Sequence, residues 1–205
     1  GIADPIICSN GTQVFDGPRG QLLSEKKVPI DIVSALADLA DGMDWGMATT
    51  VGDTTYYRQL PGQSLGRIFK NDLVVARNAD GAKGGALRIL VWEAEAIVAF
   101  REACEARFGD VCYTTTFYSS SGEAKSLGVF PLGADKGFAL ATVLKELDIR
   151  SDRVMAVGDN ENDIPMFRES GLKVAVANAT ESLKAIASGG AARNAGNLCE
   201  TDDQA

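Results

Sequence analysis

Residues 158–163, Gly158-Asp159-Asn160-Glu161-Asn162-Asp163, follow the apolar run Val154-Met155-Ala156-Val157 and lead into Ile164-Pro165-Met166-Phe167. An apolar, β-branched run that stops at Gly-Asp predicts a buried parallel strand ending at a loop. Asp159 and Asp163 then fall just beyond the strand's carboxyl end, where open α/β sheets hold their ligands. If the loop winds straight into a helix, the two carboxylates lie about one turn apart and face the same point. Two hard oxygen donors there suit Mg²⁺, which takes one or two carboxylates and completes its shell with water and substrate phosphate. The same six residues also suit an acidic turn with a helix N-cap, a role that Asp and Asn favour. The rest of the chain decides between the two.

A length of 205 residues accommodates one large domain or two small ones. A net charge of −8 argues against nucleic acid as a partner, because phosphate backbones demand clustered Lys and Arg. No apolar run approaches the ~20 residues that span a bilayer, so no membrane partner is expected. The first residues lack the basic stretch and apolar core of a signal peptide, and the chain is read as cytoplasmic. Cys8, Cys104, Cys112 and Cys199 show no CxxC spacing and are expected as buried or free thiols. There is no histidine. Histidine triads, HExxH zinc sites and imidazole bases are therefore excluded, and chemistry falls to carboxylates, lysine, hydroxyls, thiols or a hard metal.

Working outward from the acidic loop, Lys136 to Leu147 predicts a helix, with Leu140, Leu144 and Leu147 on one face. A strand at 172–177 and a helix at 179–187 complete a βαβ arrangement, hence a parallel sheet with helices on its faces. The polar tail from Gly189 is expected to fray. At the other end, residues 5–15 read as strand, Asn10-Gly11 turn, strand, because both turn positions tolerate positive φ. A further extended piece runs through Leu23. Between these ends the order is a helix from 29 or 30 to 40, a hairpin at 45–51 and 54–60, and an irregular stretch from Ser64 to Gly85. That stretch includes a short strand at Leu73 to Val75 and a mobile loop at 78–85. A strand at 86–92, a helix at 93–108 and strands at 111–118 and 124–130 follow. Paired strands with segregated helices predict a small α+β domain over an antiparallel sheet.

Lys136, following Asp135 at a helix start, opposes the helix dipole unless an anion meets it there. Lys136 together with GDNENDIPMF and the KVAVANA run at 173–179 resembles the haloacid dehalogenase superfamily of phosphohydrolases, and specifically its Cof-type branch, subfamily IIB. ICSNG at 7–11 is similar to the segment of that branch lying before its inserted cap. The resemblance implies an α/β fold: a Rossmann-like parallel-sheet core from 1–28 plus 130–205, incomplete at its N-terminus, with an α+β cap at 29–129. It implies a Mg²⁺-dependent phosphatase acting on a small phosphorylated metabolite such as a sugar phosphate. Asp159 would be the chief carboxylate on Mg²⁺, with Asp163 assisting directly or through water. Lys136 would neutralise the phosphoryl oxygens, and Asn162 would hold the loop or the phosphate. Asn10 and Asn178 fall where this branch lines its substrate region, and each also suits a turn.

The family's nucleophile is the first Asp of a DxDGT motif, which belongs before ICSNG. No room for it exists ahead of residue 7, so the nucleophile is expected to be absent from this chain. LVVARNADGA at 73–82 mimics the motif, but with Asn78 at the nucleophile position and inside the cap. Ser9 imitates the second motif, although the Asn-Gly after it fits the later segment better. Two further readings stay open: a non-catalytic remnant that binds Mg²⁺ or a phosphorylated ligand, and a sugar phosphomutase.

Overall fold

The computed structural model describes residues 4–60, 71–119 and 122–188. Its first elements are β1 (Ile6–Cys8), a 3-10 turn at Ser9–Gly11, β2 (Gln13–Phe15) and β3 (Leu22–Glu25), with strand order β1-β2-β3. β1 and β2 run antiparallel with Cys8 opposite Gln13, the hairpin expected around Asn10-Gly11. α1 (Ile30–Gly42) follows and buries Ile32, Val33, Leu36, Ala37 and Ala40 on one stripe. It runs two residues past the expected end at Ala40.

β4 (Ala48–Val51), β5 (Thr54–Tyr57), β6 (Asp72–Val74) and β7 (Arg88–Val91) precede α2 (Ala94–Ala103), which continues as one π turn at Cys104–Phe108. β8 (Cys112–Tyr118) and β9 (Ala124–Pro131) complete a six-stranded sheet of order β6-β5-β4-β7-β9-β8. Gly52, at φ +61°, makes the tight turn between β4 and β5. Every neighbouring pair is antiparallel except β5 and β6. The sheet expected to be antiparallel is thus mixed, because the long connection from Tyr57 to Asp72 allows a crossover that a hairpin turn does not.

One face of this sheet carries the core. Ile89, Val91, Leu127, Val129 and Cys112 pack with the apolar stripes of α1 and α2. Cys104 and Cys112 are buried free thiols and Cys8 is a half-buried one, as expected, while Cys199 lies outside the described residues.

The loop expected to be mobile at 78–85 is instead anchored. Asn78–Gly81 forms a 3-10 turn whose Asn78 is buried. The Asp41 carboxylate accepts hydrogen bonds from the Asn78 and Ala79 backbone N–H groups and from Asn78 Nδ2, at 2.8–3.1 Å. Arg58 and Arg77 neutralise it at 3.7 and 3.6 Å. A polar composition made the segment look loose, but one carboxylate at the end of α1 satisfies its backbone donors. Asp41→Ala is expected to cost about 2–3 kcal/mol, since it strands several donors at once. Urea unfolding, together with limited proteolysis at 77–82, would measure it.

The remaining elements are α3 (Lys136–Glu146), β10 (Met155–Gly158), α4 (Ile164–Arg168), β11 (Leu172–Ala175) and α5 (Glu181–Ile186). β10 and β11 are parallel, with Gly158 opposite Ala175, and α4 lies between them in sequence. This is the βαβ unit read from the sequence. A second core of Ala156, Phe167, Ala175, Ala179 and Leu183 lies beneath it. β10 is not the fully buried strand expected: Ala156 and Gly158 are buried, but Met155 is 59% and Val157 49% exposed. Among the described residues β11 is its only strand neighbour, so one face of β10 lacks the cover that an apolar run anticipates.

The fold is α/β and divides into two compact units, Gly1–Ser24 with Asp135–Ala205, and Glu25–Ala134. The tail expected to fray from Gly189 lies outside the described residues. No helix of the described residues is long and apolar enough to cross a membrane.

Candidate active site

Everything singled out around the acidic loop lies in the unit formed by residues 1–24 and 135–205. β10 ends at Gly158, and the chain turns through a 3-10 turn at Glu161–Asp163 directly into α4. Asn160 caps that turn: its Oδ1 accepts the Glu161 N–H at 2.8 Å. Asp163 folds back beneath the loop, where its Oδ2 accepts the N–H groups of Asp159 and Asn160 at 2.9 and 3.3 Å. Gly158 makes room for it, because a Cβ there would lie 2.6 Å from the Asp163 Cβ. The helix-cap reading of GDNEND is met by Asn160, while the Asp163 carboxylate ties the loop backbone together.

The lysine at the start of α3 meets its anion inside the protein. Lys136 Nζ donates to Asp163 Oδ1 at 2.5 Å, while Asp135 caps the helix by accepting the Phe138 N–H at 2.8 Å. Asp163 is only 2% exposed. Burial alone would raise its pKa, but the Lys136 hydrogen bond, the Asp159 N–H, the lysine's charge and the Asn160 N–H outweigh it. The carboxyl is held below its ordinary value.

Asp159 contrasts with it. Its side chain is exposed and makes no hydrogen bond or ion pair among the described residues, while its carbonyl accepts the Thr180 N–H at 2.9 Å. The two carboxylates, expected to face one point, are thus differently employed: Asp163 is committed on both oxygens and Asp159 is free. Among the described residues no group of three or more His, Cys, Asp or Glu side chains is arranged to hold a metal ion. One free carboxylate still fits the sparse protein contribution that Mg²⁺ accepts when phosphate and water fill its shell.

Asn10 and Asn162 meet across 152 positions of sequence: Asn162 Nδ2 donates to Asn10 Oδ1 at 2.9 Å. Ser9, Asn10 and Gly11 take φ values of 48°, 61° and 99°, three consecutive left-handed residues. Such strain in non-glycine residues gathers at functional sites. The turn is seated against the start of α3, since a Cβ on Gly11 would lie 2.2 Å from the Asp135 carbonyl oxygen. Asn178 is exposed in the turn after β11. Parallel pairing of Gly158 with Ala175 puts that turn at the same sheet edge as Asp159. Sequence reasoning named Lys136, Asp159, Asp163, Asn10, Asn162 and Asn178 but missed the Asn10–Asn162 bond and the strained Ser9. It also missed Ser182, whose hydroxyl ties Glu161 of the loop to α5 at 3.1 Å. Only the Asn-Gly pair signalled the strained turn in advance.

The profile of a family described as haloacid dehalogenase-like hydrolase matches residues 1–196. A phosphoglycolate phosphatase of Halorubrum lacusprofundi is 28% identical over 202 residues, covering 98% of this chain and 69% of that protein. One of Methanopyrus kandleri is 49% identical over 53 residues, 26% of this chain and 23% of that relative's length. A solved structure of a subclass IIB sugar phosphatase superposes with a TM-score of 0.72 at 20% identity, over 90% of this chain and 68% of that one.

Proposed function

The chain belongs to the haloacid dehalogenase-like hydrolase family, and from that we propose that it is a Mg²⁺-dependent phosphomonoester hydrolase for a small phosphorylated metabolite such as a sugar phosphate. The observation that carries this reading is the division of labour between the two acidic-loop carboxylates: Asp163 braces Lys136 and the loop backbone, and Asp159 stays free at the carboxyl end of the parallel strands. The names of relatives, phosphoglycolate phosphatase and sugar phosphatase, support a small phosphomonoester.

In this reading Asp159 holds the metal, and Asp163 assists by fixing Lys136. When bound, Mg²⁺ supplies charge neutralisation to the phosphoryl oxygens. Lys136 adds a second positive charge, pre-positioned so that little reorganisation is needed as negative charge develops. Asn162, braced by Asn10, orients the phosphate, and Asn178 borders the substrate from the neighbouring strand end. Residues 25–134 act as the cap that selects the leaving group. No Asp-x-Asp-Gly-Thr occurs in the 205 residues, so no nucleophile is assigned among them. A second reading is a protein that binds Mg²⁺ and a phosphorylated ligand without turning it over.

Hydrolysis of an aryl phosphate by the 205-residue chain, with Mg²⁺ and with chelator, tests the choice. Asp159→Asn is expected to lower the Mg²⁺-dependent rate on the order of a hundredfold or more. A metal-independent rate, or one unchanged by the substitution, overturns the role of Asp159. No turnover by either form, with Mg²⁺-dependent phosphate binding that Asp159→Asn abolishes, selects the binding reading.

A further inference from the structure

The end of α2 and the start of β8 bring two cysteines together inside the unit formed by residues 25–134. Cys104 and Cys112 are each 2% exposed and belong to the core that packs α1 and α2 on the sheet. Both are free thiols. The chain between them folds back tightly. α2 ends in the π turn Cys104–Phe108, and the Phe108 carbonyl accepts the Val111 N–H at 2.9 Å and the Cys112 S–H at 3.4 Å. One carbonyl thus holds the first residues of β8 against the turn that begins at Cys104. Single π turns of this kind gather at functional positions.

The two thiols are also hydrogen-bonded to each other. That bond lowers the pKa of Cys112 against burial and the Asp110 charge. The same bond, with burial and the charges of Cys112 and Glu105, raises that of Cys104. Cys112 is therefore the sulfur that becomes a thiolate first, and Cys104 the one that keeps its proton. A single buried cysteine is ordinarily an inert small hydrophobe. Two in contact differ, because the second stands where it can capture an oxidised first. Among the described residues no third His, Cys, Asp or Glu joins them in a metal-holding group. Their cover is thin: residues 105–107 and 109–111 are exposed, so opening of this one turn uncovers the pair while the sheet stays folded.

We infer that Cys104 and Cys112 form an oxidation site, at which a peroxide closes an intramolecular disulfide between the end of α2 and the start of β8. With hydrogen peroxide, the Cys112 thiolate attacks one oxygen and the O–O bond breaks. Cys112 becomes a sulfenic acid, and the departing hydroxide takes up the proton that Cys112 released, giving water. The Cys104 sulfur then attacks the Cys112 sulfur, the S–O bond breaks, and a second water leaves with the Cys104 proton. Two electrons pass from the two sulfurs to the peroxide, and one S–S bond forms. Thiols already in hydrogen-bond contact need only a short approach to the S–S bond length of about 2.05 Å. A small external thiol reverses the step by exchange. The site uses residues 104–112 alone and stands or falls independently of the chemistry assigned to Asp159 and Lys136.

The test treats the reduced 205-residue chain with hydrogen peroxide, blocks remaining thiols with an alkylating agent, and maps the tryptic peptides without reduction. Trypsin cuts after Arg101, Arg107 and Lys125, so Cys104 and Cys112 fall on separate peptides, 102–107 and 108–125. The expected product is these two peptides joined, two hydrogens lighter than their sum, and separated again by a reductant. In Cys104→Ser the reaction should stop at a Cys112 sulfenic acid, trapped by dimedone. In Cys112→Ser, loss of the Cys104 thiol should slow by about tenfold or more. The inference is overturned if both cysteines are recovered alkylated while Cys8 is consumed, or if either links instead to Cys8, Cys199 or a second chain. It is equally overturned if the 104–112 link forms in urea but not in the folded protein.

Discussion

Asp163→Ala is expected to destabilise the chain by about 3 kcal/mol, the low end for removing one partner of a buried ion pair. The low end applies because the Lys136 side chain is 29% exposed and water screens what is left behind. The loss has two sources. Lys136 is left without its anion, and the Asp159 and Asn160 N–H groups lose the oxygen that orders the loop. Urea denaturation measures it, and a change below about 0.5 kcal/mol, the range of ordinary surface substitutions, would show that the pair does not brace the site.

The same residue sets a pH dependence. Its folded pKa lies below its unfolded value of about 3.9, so the unfolded state binds more protons in the interval between the two. Stability therefore rises with pH through that interval. The contribution is fully present above the unfolded value and disappears as pH falls through the folded one. Asp163→Asn should flatten this acid limb, and an unaltered profile of unfolding free energy against pH would contradict it.

Gly11→Ala is expected to be as damaging, at about 3 kcal/mol or more. Two effects add. A φ of +99° is open to glycine but strained for alanine. The new Cβ would also meet the Asp135 carbonyl oxygen at 2.2 Å, and that contact is backbone, which cannot swing aside. Relief requires the Ser9–Gly11 turn to withdraw from the start of α3, taking Asn10 away from Asn162 and disturbing Lys136. Thermal or urea unfolding reads the stability, and loss of the Asn10–Asn162 contact by nuclear magnetic resonance reads the displacement. A variant with wild-type stability would mean that the turn adapts without backbone contact to Asp135.

Much of this was legible in order along the chain. Apolar periodicity located α1, α2 and α3, and the β10–α4–β11 unit, because each buries one stripe or face whose spacing is a local property. Asn10-Gly11 announced its hairpin, since permission for positive φ is also local. Lys136 and the acidic loop were recognisable as one assembly through their resemblance to a known family's motifs. The loop at 78–85 misled because polar composition resembles disorder until its partner is known, and that partner, Asp41, lies 37 positions earlier.

The sequence by itself determined where the acidic loop stands, at the end of a strand and the start of a helix, and that hard-acid or phosphate chemistry is the chemistry its residues suit. Only the tertiary structure decided how its two carboxylates divide the work. A lysine 27 positions away takes one oxygen of Asp163, two loop amides take the other, and the Asp159 side chain is left unpaired among the described residues. The direction of β6 and the meeting of Asn10 with Asn162 were decided at the same level. Periodicity and turn chemistry depend on neighbours within about one turn or one hairpin. Ion pairs and strand direction depend on which distant segments the closed chain brings within hydrogen-bond reach.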